Sequence, residues 1–418
     1  MIRSAARVDP DAEGGNALRV PTRSAVRVGE LPRHAVRAVR GRSQELDEDL
    51  WALLTSGRVD EQLAARAVLA ETSRPFADGE LFAPGEDLGP FHRWAGFQHR
   101  TAVAVLDEPS FVSPTGWVIR PPFQLVGSGL LFRHFGVRRP QLAHYVETRV
   151  RRSAVELPPL LSLRDPTENN YYHFMCDLLG GRLRIADSAG VTGDRPLLVS
   201  RAVAEHRNFA SVQRLSDLGD RDVIVQPPDR YVRTPSQPIV RTPRFCAENL
   251  YHLQRWLHVP DGDRDASRRL FLVRKEQTGR DIANMAAVAD VATRFGFELV
   301  STEDLTLEAQ IELFSQARHL VGVWGSALFN MVWRRNAPMS VLEIVPPLIR
   351  RPDAYWFYMA RALGFRYSYY ADESLDEPYV LPDTVREMQQ LKRSKRDRFE
   401  LDVDRLTTLI ASMLDEAG

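Results

Sequence analysis

From Arg269 to Ala371 the chain alternates strand-like and helical runs without a break, and this alternation limits the fold more than any other feature. Strands are read in "RLFLVR" (269–274), "FELVS" (297–301), "HLVGV" (319–323), "SVLEIVP" (340–346) and "RYSYYA" (366–371). Helices are read in "IANMAAVADVATRF" (282–295), "LEAQIELFSQA" (307–317), a run from Ser326, and "AYWFYMARALG" (354–364). Strands separated by helices pair in parallel, because the crossover needs about a helix's length of chain, and the result is a doubly wound sheet. Ligands then sit in the crevice beyond the carboxyl ends of the strands.

The preceding stretch alternates less regularly. "TAVAVLD" (101–107), "GWVIRP" (116–121) and "LPPLLSL" (157–163) read as strands, followed by a helix around 168–186 and strand "PLLVS" (196–200). A helix around 203–217, strand "DVIVQ" (222–226) and a helix around 247–258 complete an order that suits an α/β layer sandwich. "HVPDGDRDAS" (258–267) then interrupts the pattern with proline, glycine and charges, and reads as a linker. The expected organisation is a flexible basic arm over 1–42, a helical extension over 43–95, a Rossmann-like domain over 96–260, a second over 268–372, and a C-terminal helical segment over 383–418. Two Rossmann-like domains facing across a cleft, with an N-terminal extension and a C-terminal helix, make an α/β fold of GT-B-like outline, an analogy at the level of the fold alone.

At 418 residues the chain is long enough for two domains. Its 55 basic and 55 acidic residues balance, which argues against a nucleic-acid partner held by overall basicity and favours a small ligand. Residues 14–42 hold seven arginines against one acid, Glu30, and read either as a solvated tail or as an arm touching an anionic membrane surface. Cys176 and Cys246 are the only cysteines, too few for a disulfide framework, and they suit a reducing compartment. With no secretory leader and no run of 18 apolar residues, the expectation is a cytoplasmic protein, peripheral at the membrane if the arm engages it. Self-association into a homo-oligomer is left open.

Three segments carry residues capable of chemistry. In "HLVGVWGSALFN" (319–330) a strand ends, Trp324-Gly325 turns, and a helix starts at Ser326, so the N–H groups of Gly325, Ser326 and Ala327 are expected to face the crevice and favour an anion such as a diphosphate. In "VRKEQTGRDIAN" (273–284) Arg274 and Arg280 bracket a polar loop at the same crevice, placed either to clamp phosphate oxygens or simply to be solvated. In "ENNYYHFMCDLLGGRLR" (168–184) His173 and Asp177 stand four apart on one helix face, where an imidazole and a carboxylate form an oriented base or a surface contact. The D-x-D spellings at 9–11, 47–49, 261–263 and 402–404 lie in a tail, a helix start, the linker and a terminal helix, none at the end of a buried strand where a metal–diphosphate clamp would work.

Together these segments resemble glycosyltransferase family 61, on the side of its bacterial capsular-polysaccharide members. An N-Y-F/Y-H-F/W-x-x-D helix is matched by Asn170, Tyr171, Tyr172, His173, Phe174 and Asp177. An S-R…R-x-I-x-N-E segment is matched by Arg274, Arg280, Ile282 and Asn284, and "GFELVSTEDLTLEAQIELFSQA" (296–317) follows the family stretch nearly throughout. A V-G-x-H-G turn ending in Asn330 and a V-L-E-I/L-x-P strand, here "VLEIVP" (341–346), close the pattern. Departures are Trp324 for the family histidine, Val273 for serine, Met285 for glutamate, and "LGGRL" for "L-P-R-L".

The resemblance implies an inverting glycosyltransferase that needs no metal and no cofactor. Its second half would hold a nucleoside-diphosphate sugar and its first would admit a hydroxyl-bearing acceptor. His173 or Asp177 would serve as base, Arg274, Arg280 and the turn Gly325–Ala327 would carry the diphosphate charge, Glu343 would bind ribose, and Asn284 and Asn330 would orient these groups. Trp324 would either stack on a base or sugar ring or simply close the crevice. The departures keep a second reading alive, a non-catalytic protein of glycosyltransferase type that binds a nucleotide sugar or glycan.

Overall fold

The computed structural model describes residues 18–20, 102–106, 109–114, 116, 118–120, 124–126, 154–165, 167–241, 247–274, 280–347, 354–371 and 398–415. The extension over 43–95, Cys246, residues 275–279 of the arginine loop, and 383–397 of the expected C-terminal helix lie outside these residues. So does the basic arm, apart from Leu18–Val20.

In chain order the first strands are β1 (Leu18–Val20), β2 (Ala102–Leu106), β3 (Ser110–Val112), β4 (Val118–Arg120), β5 (Gln124–Val126) and β6 (Val155–Glu156). They continue with β7 (Leu161–Ser162), β8 (Leu197–Ser200), β9 (Val223–Gln226), β10 (Val232–Thr234) and β11 (Gln237–Arg241). These strands form three small sheets, ordered β1-β2-β11, β5-β4-β3-β10-β6 and β7-β8-β9. Only the last is wholly parallel, so the Rossmann-like character expected for 96–260 is confined to it. The rest is of mixed direction, because the connections are too short for crossovers: β3, β4 and β5 run as an antiparallel meander. Gly116, at φ +89°, makes the first of its turns by donating to the Ser113 carbonyl at 2.9 Å.

The second half carries β12 (Arg268–Leu272), β13 (Phe297–Val300), β14 (Ala317–Val323), β15 (Ser340–Ile344) and β16 (Arg366–Tyr370) in one sheet, ordered β13-β12-β14-β15-β16 and parallel throughout. The order reverses between β12 and β14, which is the switch point where such sheets open a ligand crevice. Side chains alternate across the sheet as a strand's twofold period requires. Leu270, Leu272, Leu320 and Val341 face the helix Leu307–Ser315 and the 3₁₀ helix Ser326–Trp333. Phe271, Val321, Leu342 and Ile344 face the helices Met285–Arg294 and Val403–Asp415. The C-terminal helix therefore begins at Val403; the described residues before it, 398–402, are not helical, and Phe399 bridges Ile282.

The two halves share one hydrophobic core, in which Leu161, Phe174 and Leu179 of the first belong with Leu270, Phe329 and Trp333 of the second. Each such enclosed side chain contributes roughly 1.5–3 kcal/mol relative to exposure. Polar contacts cross the junction as well: the Ser211 hydroxyl and Arg214 both reach Glu308, and Gln254 donates to the Val332 carbonyl at 2.7 Å. The linker is fastened too. Gly262 N–H donates to the Arg335 carbonyl at 2.7 Å, and the enclosed Arg334 donates to the carbonyls of Asp263, Ser315 and Pro338. Arg335 adds a bond to the Val259 carbonyl at 3.0 Å and an ion pair with Asp261 at 3.2 Å.

Candidate active site

At the switch point Arg274 leaves the end of β12 while Trp324-Gly325 leaves the end of β14. The two guanidinium groups converge on Gly325: a Cβ there would stand 3.0 Å from Arg274 Nη1 and 3.1 Å from Arg280 Nη1. A side chain there would make both guanidinium ends give way by a few tenths of an ångström. Arg280 Nη1 donates to the Trp324 carbonyl at 2.6 Å, and its guanidinium carbon lies 4.8 Å from the centroid of the Trp324 ring. That ring packs in turn against the buried pair Val345 and Ala371. Beyond the two uses the sequence leaves open for Trp324, its face carries an arginine. Arg280 also holds a left-handed backbone, φ +63°, which is unusual for a residue with a side chain.

Burial lowers the pKa of both guanidinium groups. Arg280 falls to about 10, by burial first and then by the like charge of Arg274, against the opposing pull of Asp281. Arg274 is lowered by burial, with Glu303 and Asp281 opposing. Two partly desolvated like charges side by side gain from an anion placed between them. The turn adds N–H groups, since among the described residues no side chain caps the 3₁₀ helix at Gly325 and Ser326 and Ala327 are only half-buried, whereas 328–333 are enclosed.

The second group stands on the helix His173–Leu183. Asn170 starts it, its side-chain oxygen accepting from the N–H of Tyr172 at 2.9 Å and of His173 at 3.4 Å. His173 Nδ1 and Asp177 Oδ2 are 2.7 Å apart, and the two side chains are 16 and 19 % exposed, enough to meet a ligand. With Nδ1 engaged, Nε2 is the nitrogen left to exchange a proton. The helix is π-wound along its length, a rare form that frequently marks functional sites. Its Gly180 lets the helix Ala247–Trp256 approach: a Cβ there would meet the Asn249 carbonyl oxygen at 2.8 Å and Leu253 Cγ at 2.9 Å. Gly180 of "LGGRL" thus has a packing reason.

Asn330 joins the two groups. Enclosed in the 3₁₀ helix, it accepts at Oδ1 from the Tyr171 hydroxyl at 3.2 Å and from Trp333 Nε1 at 2.9 Å, and it donates to the Ala327 carbonyl at 3.0 Å. Burial raises the Tyr171 pKa well above the usual phenol range, so this tyrosine stays a neutral donor. Tyr171 and Tyr172 also meet Phe329 edge to face, at 5.4 and 5.6 Å. Tyr355 faces His173 across 6.3 Å, a neighbour the sequence reading does not single out, because 182 positions separate the two.

Two expected ligand contacts are placed otherwise. Glu343 is completely enclosed and accepts from the Tyr367 hydroxyl, so it offers no open face to a ribose. Asn284 has turned to the C-terminal segment, donating to the Leu401 carbonyl at 2.8 Å and accepting from Leu401 N–H at 3.0 Å. Both lie near the end of a strand or the start of a helix, as expected, but long-range partners have taken their polar atoms. Among the described residues no group of three or more His, Cys, Asp or Glu is placed to hold a metal ion.

The parallel sheet thus carries two arginines at its switch point and a His–Asp pair on the adjoining helix, and a comparison with known families finds a similarity over this region. A family model described as Glycosyltransferase 61 matches residues 171–342, from Tyr171 beside the dyad into β15. Across that span the chain is similar to glycosyltransferase family 61. No curated protein matches the chain. Among the described residues no helix is long and apolar enough to cross a membrane.

Proposed function

We propose that the protein transfers a sugar from a nucleoside-diphosphate donor to a hydroxyl group of a glycan, polysaccharide or glycoconjugate, with inversion at the anomeric carbon and no required metal. The convergence of Arg274 and Arg280 on Gly325 is the observation that carries this reading. The acceptor hydroxyl attacks the anomeric carbon opposite the leaving diphosphate, and a single in-line displacement inverts that carbon. His173 Nε2 takes the hydroxyl proton while Asp177, held at Nδ1, keeps the ring oriented and stabilises the imidazolium that forms. Negative charge grows on the diphosphate bridge as the bond breaks, and the arginine pair with the N–H groups of the turn stabilises it.

The test is calorimetry with UDP-, GDP- and dTDP-sugars followed by turnover assays on a panel of acceptors. Arg274→Ala and Arg280→Ala are each expected to lower kcat/KM by about two orders of magnitude or more, roughly 2.7 kcal/mol of transition-state stabilisation. Unchanged rates would refute the assignment. Binding without transfer or donor hydrolysis on any acceptor would favour the non-catalytic alternative.

A further inference from the structure

Arg280 leads directly into four residues that are fastened to the far end of the chain. Ile282 bridges Phe399 in parallel, Ala283 N–H donates to the Phe399 carbonyl at 2.7 Å, and Phe399 N–H donates to the Asp281 carbonyl at 3.0 Å. Asn284 closes the contact with its two bonds to Leu401. Immediately beyond, the segment is tied to the opposite edge of the sheet. Asp402 N–H donates to the Tyr370 hydroxyl at 3.0 Å, and Arg405 Nη1 donates to the Ala371 carbonyl at 2.7 Å with its guanidinium carbon 4.9 Å from the Tyr370 ring centroid. Residues 398–405 therefore span the sheet's carboxyl edge from the end of β16 to the exit of the arginine loop. Enclosed Leu401, Leu406 and Ile410 hold the span down.

We infer that residues 398–402 are a strap that sets the position of Arg280, with Asn284 as its clasp, and that Asn284 is a positioning residue acting through Arg280. A left-handed backbone at a residue with a side chain persists only where its surroundings over-determine it. At Arg280 the surroundings are of two kinds. Trp324 holds the side chain, and the strap holds the backbone of the residues that follow. The inference rests on the reading that Arg280 binds the diphosphate.

Full-length variants titrated with UDP, GDP and dTDP test it, with thermal midpoints measured in parallel. Asn284→Ala and Phe399→Pro, the second deleting the N–H that bonds Asp281, are expected to weaken the best-bound nucleotide by about tenfold, which converts to ~1.4 kcal/mol. Leu406→Ala, which thins the packing under the C-terminal helix, is expected to lower the midpoint and leave the affinity unchanged. If Phe399→Pro does not fold, Tyr370→Phe is read in its place, with weakening of about threefold expected from the loss of one hydrogen bond. Weakening by Asn284→Ala with parental affinity in the strap variant would mean that Asn284 touches the ligand, and would overturn the inference. Parental affinity in both, with binding lost in Arg280→Ala, would overturn the strap and leave the diphosphate reading intact. Parental affinity in Arg280→Ala itself would remove that reading.

Discussion

Trp324 occupies the family's histidine position, and its ring supports Arg280 from below while its carbonyl accepts from the same guanidinium. A partly desolvated cation–π contact of this kind is worth roughly 0.5–2 kcal/mol. Trp324→Ala should therefore weaken nucleotide binding by about 2- to 30-fold by calorimetry, and Trp324→His should do so by less. Asn330→Ala leaves two buried donors, the Tyr171 hydroxyl and the Trp333 indole N–H, without their shared acceptor. Each such loss costs about 1–3 kcal/mol, so urea unfolding should register a drop of at least ~2 kcal/mol. His319 predicts the pH response. It is buried on β14 with neither ring nitrogen hydrogen-bonded among the described residues, and burial, with Arg269 and Arg318 nearby, lowers its pKa from 6.5 to about 4. A lowered histidine pKa means that the unfolded chain binds the proton more readily. The stability it allows is complete above about pH 6.5 and is lost as pH falls towards 4. Burial also brings His252 to about 4, with Arg184 and Arg255 lowering it further and Asp217 opposing, so it acts in the same direction. Thermal midpoints measured from pH 7.5 down to 4.5 should fall, and His319→Gln should flatten the slope whatever its absolute midpoint.

At the scale of elements, the helix His173–Leu183 depends on a close contact that a single methyl group would spoil. Gly180→Ala puts a Cβ 2.8 Å from a backbone carbonyl that cannot swing aside, and overpacking of this sort costs typically about 1–3 kcal/mol. Its thermal midpoint should drop; an unchanged midpoint would show that the two helices can separate freely. The dyad on that helix is legible in the sequence because its members are four residues apart. So is the second-half sheet, whose five strands carry enough apolar residues to reveal their period and fall within two or three residues of expectation. Strands β3, β10 and β11 are not legible. At three residues each, β3 and β10 are too short to display alternation, and β11 contains Pro238, which argues against a strand. Nor can a local pattern show that Arg280 rests on Trp324 or that Asn284 turns to Leu401, since those partners lie 44 and 117 positions away. Local spacing placed the candidate groups near one crevice, and tertiary contacts decided which of them face it.

At the scale of the whole molecule, the shared core makes the two halves one folding unit. Calorimetry should show a single transition for the region from Val155 to Asp415, with equal van't Hoff and calorimetric enthalpies, whereas two resolved transitions would contradict a common core. The fastened linker has a kinetic consequence. Arg334 and Arg335 hold 259–263 by main-chain contacts, so the junction is not built to swing the halves apart and together. A protein that must first close reserves only part of its population for binding, and its apparent affinity is diluted by that fraction. Here no such dilution arises at the junction. Nucleotide association followed by stopped-flow tryptophan fluorescence should give one phase whose rate rises linearly with ligand concentration, without the plateau that a slow closing step would impose.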